Sequence, residues 1–272
     1  MKKNAILLTF AILSLVCTMG FGQKITIGVK GGFSIPKLSG GSSDDPLSTG
    51  YSSRFAEEGG IYAEYHTNKK FSVSLGVEYS SQGGKKDKLQ ALTTPKEIPV
   101  FILPFPTPKY LYADYKSEAK INYVLIPLLA RYNWRINPKS PVRIYAALGP
   151  FAGILLNAKQ VISGGSQAIY SDPSGKSPIT LPGDPTQMKI PFDKTVNIKD
   201  SLNRYNTGIC GFVGISYSIT KKHSIFLEAG GNYGFIAIQK GKGIGKNNSG
   251  AAVVTVGYAY TLQNKYYYRG RR

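Results

Sequence analysis

The sequence predicts an all-β fold, an eight-stranded antiparallel up-and-down transmembrane β-barrel with long extracellular loops and short periplasmic turns. Three observations predict it. Apolar and polar residues alternate at period two along eight segments. The joins between those segments are short and long by turns. A secretory leader precedes them, and no later apolar run reaches the length of about 20 residues that a membrane-spanning helix needs.

The leader starts with Lys2 and Lys3 and continues as an apolar stretch from Ala5 to Met19, too short for an anchor. Gly20-Phe21-Gly22 supplies the small-x-small pattern of a signal peptidase site, so cleavage is expected before Gln23. Residues 1–22 are therefore read as signal peptide, 23–262 as barrel and 263–272 as a basic periplasmic tail. Cys17 suggests a lipoprotein, but Val16 stands where lipoprotein processing wants a small residue. Cys210 is the one cysteine left after cleavage, so an internal disulfide is excluded. A membrane chain without apolar helices must satisfy its backbone by closing a barrel. The net charge of +19 could mark nucleic acid as a partner. The leader argues against that, and basic loops beside anionic lipid headgroups or lipopolysaccharide phosphates account for the charge.

In the first strand Ile25, Ile27, Val29 and Phe33 share one face, and Thr26, Gly28, Lys30 and Ser34 the other. The second sets Ile61, Ala63 and Tyr65 against Tyr62, Glu64 and His66. The third sets Phe71, Val73, Leu75, Val77 and Tyr79 against Ser72, Ser74, Gly76, Glu78 and Ser80. The fourth runs from about Ile121 to Trp134 and the fifth from about Val142 to Leu156. Pro127 lies inside the fourth and cannot donate to a neighbour, so a bulge or a broken ladder is expected there. The sixth sets Ile209, Val213, Ile215 and Tyr217 against Gly208, Cys210, Gly214 and Ser216. The seventh sets Ile225, Leu227 and Ala229 against Phe226, Glu228 and Gly230. The eighth sets Val254, Val256, Tyr258, Tyr260 and Leu262 against Thr255, Gly257, Ala259 and Thr261. Short joins follow strands two, four and six. Long ones span roughly Ile35–Glu58, Gln82–Glu118 and Asn157–Asn203, with a middle-length join at Gln239–Ser249. The proline-rich stretch Glu97–Tyr110 is expected to lie extended over the barrel mouth. A soluble sandwich has no reason to sort its loops by parity.

The end of the last strand reads Thr255-x-Gly257-x-x-Tyr260-x-Leu262. This resembles the signal by which the barrel assembly machinery recognises its clients. Ile126-Pro127-Leu128-Leu129-Ala130-Arg131-Tyr132, a short turn, and Tyr145-Ala146-Ala147-Leu148-Gly149-Pro150-Phe151-Ala152-Gly153 resemble the PorT-like outer-membrane β-barrel family of Bacteroidetes. The opening Gly28-Val29-Lys30-Gly31-Gly32-Phe33-Ser34 is similar too. The resemblance implies a barrel shaped like OmpA and OmpX, and for some relatives service to a secretion system. It carries no catalytic residues.

On this alternation Lys30, Glu64, Glu78, Arg131, Arg143 and Glu228 point into the lumen. Buried charges must be paired or hydrated, so they are expected to form a salt-bridge network. Arg131 and Arg143 should stand side by side and contact one or both of Glu64 and Glu228, with Glu78 somewhat higher, near Lys30. The other use of such charges is a gated polar path, but the interior of an eight-stranded barrel has room for side chains only. His66 and His223 fall at periplasmic turns, without an evident nucleophile beside them. Gly241–Lys246 lacks P-loop spacing. No catalytic, cofactor or metal site is therefore expected. Three functions remain: a non-enzymatic anchor, assembly or secretion accessory or interaction platform using its outer loops; a small gated channel or apolar-ligand binder; and a soluble lipocalin-like barrel. The last would put its apolar face inside, against the charged inward face read here.

Overall fold

The computed structural model describes residues 24–40, 46–93, 108–135, 137, 140–181, 184–241 and 246–262. The expected leader, the basic tail, most of Glu97–Tyr110 and most of Gly241–Lys246 lie outside the described residues. Eight long strands dominate: β1 (Lys24–Gly40), β2 (Ala56–His66), β3 (Phe71–Lys86), β4 (Lys116–Arg135), β5 (Val142–Ser163), β6 (Tyr205–Ser218), β7 (His223–Gly234) and β8 (Asn247–Leu262). Each pairs antiparallel with its chain neighbours. β1 closes the ring on β8, from Ile25 opposite Leu262 to Gly40 opposite Asn247.

Local turn chemistry sets two of the short joins. Asn68 Oδ1 accepts the amides of Lys70 and Phe71, both at 2.8 Å. Thr220 Oγ1 accepts those of Lys222 and His223, at 3.2 and 3.1 Å. Such side chains imitate a backbone turn and fix the register of the strands they join.

The alternation sorts the faces as the pattern requires. Val73, Leu75, Val77, Ile215, Leu227, Val256 and Tyr258 are exposed on the outside. Thr26, Lys30, Ser72, Ser74, Glu78, Glu228 and Thr255 are buried inside. Aromatic residues rim the apolar band. Phe71, Tyr132 and Trp134 pack edge to face at the turn end, with centroids 4.7 and 4.5 Å apart. Phe33 stacks on Phe55 at 4.9 Å toward the loop end. Aromatic girdles at both interfaces are a feature of transmembrane barrels.

Inside, large rings lie over missing side chains. Gly28, Gly208, Gly214 and Gly257 stand directly opposite Tyr62, Phe151, Tyr145 and Phe226. A Cβ at any of the four would fall within 2.6 Å of the facing ring. Glycine on one strand thus makes room for an aromatic ring from the next, which fills a narrow lumen without splaying the wall.

Several strands run past the ends read from the sequence. β1 continues to Gly40, β3 to Lys86, β5 to Ser163, while β4 begins at Lys116 and β8 at Asn247. A bilayer needs about 9–11 residues per strand, yet β4 has 20 and β5 has 22. Beyond the apolar band the outward positions become Lys85, Lys120 and Glu118 while pairing continues, so the hydrophobic signal stops before the ladder does. At Pro127 the pairing with β3 is interrupted between Leu75–Leu128 and Glu78–Leu125, in unchanged register. The bulge itself lies farther up, at Asn122/Tyr123 against β5. Leu156 and Asn157 are both exposed there and Ala158 is buried, so the facing of β5 switches.

The long joins carry structure of their own. Leu89–Leu92 pairs with Leu111–Asp114, and Ser166–Ala168 with Lys189–Pro191. Lys194–Asn197 adds to the upper part of β5. Leu111, Ala113, Tyr115, Ile169, Ile179 and Phe192 form a second buried apolar cluster above the barrel. Tyr115 stacks on Phe192 at 4.4 Å, and burial pushes its phenol up to about 12.

Two substitutions test this packing. Val256→Arg should destabilise the barrel by about 2–4 kcal/mol if that site lies near the bilayer midplane. Gly214→Ala should cost about 1–3 kcal/mol by overpacking against Tyr145. Urea unfolding in lipid vesicles checks both. Wild-type stability for Val256→Arg would reverse the facing assignment.

Candidate functional site

The charged lumen layer follows from register. Lys30 and Glu78 both pair with Gly60, from opposite sides. A Cβ on Gly60 would lie 2.8 Å from Glu78 Cγ. Its absence lets the two side chains meet, with Lys30 Nζ 2.9 Å from Glu78 Oε1. Lys30 Nζ also donates to Glu228 Oε1 at 3.0 Å. Arg131 Nη2 lies 3.5 Å from Glu228 Oε2, and Arg131 Nη1 lies 2.9 Å from Glu64 Oε2. The result is one chain of alternating charge, Glu64–Arg131–Glu228–Lys30–Glu78, drawn from five strands. All five side chains are buried.

Neighbours complete the layer. Tyr145 donates its hydroxyl to Glu228 Oε2 at 3.1 Å. Ser72 donates to Glu64 Oε1 at 2.5 Å. The Arg131 guanidinium lies 4.2 Å from the centre of the Tyr145 ring, and Lys30 Nζ lies 4.8 Å from that of Phe212. Ring faces attract cations and take the place of lost water.

Arg143 departs from expectation. It is half-buried at the turn end and makes no ion pair among the described residues. The register explains this. Arg143 stands opposite Arg135, whereas Arg131 stands opposite Ala147, four residues farther up the wall. Counting residues from the short turn sets the two arginines at one height; the actual pairing separates them by about 13 Å of strand.

The sequence reading missed other buried polar groups. Glu58 is buried on β2 and accepts from Ser80 Oγ at 2.9 Å. It continues the even-numbered inward series of Tyr62 and Glu64, and that parity could have found it. Arg54 is buried just before β2 and donates to Gln82 O at 3.4 Å and to Glu118 Oε1 at 3.3 Å. Burial pulls its guanidinium below the ordinary value, against the opposite pull of Glu118. No periodicity marks it.

Residues read as an assembly signal divide between faces. Thr255 is buried beside Glu228, and Gly257 lies under Phe226. Leu262 is exposed on the outside, and Tyr260 packs edge to face with His223 at 5.2 Å. Among the described residues no group of His, Cys, Asp and Glu side chains is arranged to hold a metal ion.

Glu228 is the shared centre of the chain. Glu228→Ala leaves Arg131 and Lys30 with one carboxylate each, and should cost on the order of 3–5 kcal/mol. The shift of the urea midpoint in micelles measures it. A cost below about 1 kcal/mol would mean that water solvates the layer.

The sequence matches the family described as outer membrane protein beta-barrel domain over residues 21–240. No curated protein matches the chain. Among solved structures it is similar to Ail, the attachment invasion locus protein of Yersinia pestis, at 12% identity and a TM-score of 0.35, covering 89% of this chain and 99% of that one. It is similar to OprG from Pseudomonas aeruginosa at 11% identity and a TM-score of 0.38, covering 89% and 97%. It is also similar to the outer membrane protease OmpT from Escherichia coli at 10% identity and a TM-score of 0.30, covering 89% and 97%. The family match takes in the ring from β1 through β7, and the chain belongs to the outer membrane protein β-barrel domain family, as a barrel of the Gram-negative outer membrane.

Proposed function

We propose that the protein is a non-enzymatic interaction platform, an anchored barrel whose long-loop end meets a partner while its lumen stays closed. The observation that carries this reading is the second apolar cluster at the loop end. A loop that only joins strands has no need of its own buried core. Here the joins after β3 and β5 are cross-paired and packed, which holds a surface in one shape for recognition. The ionic chain and the aromatic rings across the lumen support a closed interior.

On this reading residues 1–22 direct export and are removed. Thr255, Gly257, Tyr260 and Leu262 present β8 to the barrel assembly machinery. The loop end faces outward, among lipopolysaccharide phosphates that its lysines suit. The PorT-like resemblance of β4 and β5 favours a partner within an envelope or secretion assembly.

Planar-bilayer recording of the purified protein should show no large steady conductance, and a stable pore of porin size would favour the channel reading instead. Ile169→Asp combined with Phe192→Asp should unfold the loop cluster and leave heat-modifiable gel migration unchanged. Crosslinking in whole cells from a photoreactive group at Ser174 should then lose its discrete product. An unchanged product would remove the loop end as the recognition surface.

A further inference from the structure

We propose that the turn-end mouth of the barrel is a binding site for a phosphate-class oxyanion, at the opposite end from the platform surface and independent of it. A cavity of about 50 Å³ opens there, with room for a small ion or a few waters. Lys24, Arg143, Lys221 and Lys222 line it, with the hydroxyls of Ser216 and Ser218 among its walls. The one acid in the lining is Glu64, and both its oxygens are engaged. Arg131 holds Oε2 at 2.9 Å, while Ser72 donates to Oε1 at 2.5 Å and His66 Nδ1 lies 3.7 Å from that oxygen.

Among the described residues Lys24, Arg143, Lys221 and Lys222 make no ion pair, and Glu64 is the one carboxylate set among them. Arg143 makes no ion pair among the described residues, and its cross-strand neighbours are Arg135 and Ser216. Like charges directly opposite on a sheet repel, and an anion seated beside Arg143 would offset that repulsion with an attraction of its own. A guanidinium fork, ammonium groups and hydroxyl donors converging from different strands suit a tetrahedral oxyanion. The cavity is a dead end, since the Arg131–Glu64 pair floors it and the rest of the ionic chain lies behind. The occupant is small, either inorganic phosphate or the phosphoryl headgroup of a phospholipid reaching the rim.

Isothermal titration of the purified barrel, held in a phosphate-free detergent, tests the site with two probes. One is inorganic phosphate. The other is dihexanoyl phosphatidylglycerol below its micellar concentration. Saturable one-site binding of phosphate supports a free ion as occupant. Saturable binding of the lipid alone supports the headgroup. In either case the double variant Lys24→Gln/Arg143→Gln should bind at least tenfold more weakly, with heat-modifiable migration unchanged. Lys240→Gln at the loop end should bind as wild type. The proposal is overturned if neither probe binds, if the double variant binds as wild type, or if Lys240→Gln loses as much affinity.

Discussion

The closure of β1 on β8 is the constraint on which the rest of the molecule depends. In hydrocarbon every backbone N–H and C=O must find a partner within the protein. The ladder from Ile25–Leu262 to Gly40–Asn247 removes the last two edges. Closing with eight strands also fixes the interior width, which accommodates side chains and little else. Each inward residue must then fit against residues from across the ring as well as from the next strand. This is why glycines stand opposite aromatic rings, and why Gly60 stands between Lys30 and Glu78. Both arrangements trade a side chain on one strand for contact between its neighbours.

Closure also explains how a buried ionic layer is sustained. Removing five charges from water is costly, and Coulomb attraction offsets that cost only with good geometry and further hydrogen bonds. The geometry comes from strands held by the ring. Glu228 on β7 reaches both Lys30 on β1 and Arg131 on β4 because the lumen is narrow enough for side chains to span it. An apolar wall of Leu125, Phe151, Leu155 and Phe212 continues toward the loop end. Buried polar pairs such as Ser80–Glu58 and Gln82–Asn232 lie among these apolar side chains.

The legibility of the sequence divides along physical lines. Strand number, order and facing could be read because lipid imposes a strict apolar alternation on every crossing segment. Lys30, Glu64, Glu78, Arg131 and Glu228 interrupt that alternation on its inward side, so parity alone placed them in the lumen. Height along the barrel was less accessible, because it depends on the register between neighbours. Distance from the turn alone therefore puts Arg143 level with Arg131, although it pairs with Arg135. The upper parts of β4 and β5 carry no strand signal in the sequence because neither face needs to be apolar once the strand leaves the bilayer. The loop cluster escaped notice because Leu111, Ile169 and Phe192 lie far apart in sequence, on segments too short to show a period.

The two ends of the barrel differ in a way that follows from chain connectivity. At the turn end each short join leaves few residues, so the mouth is lined by strand termini and by turn residues such as Lys221 and Lys222. Among the described residues these joins supply little chain to cover the charge of Lys24, Arg143, Lys221 and Lys222. At the loop end the joins are long enough to fold back. Residues 46–55 lay Arg54 over β3, and Lys86 Nζ donates to Leu47 O at 2.8 Å. Here a charged side chain finds backbone carbonyls and carboxylates of the same chain. The same ring therefore ends in cross-paired, packed loops on one side and an open basic cavity on the other. The two ends thus offer different chemistry, a cross-paired apolar cluster at one and a cavity lined by Lys24, Arg143, Lys221 and Lys222 at the other.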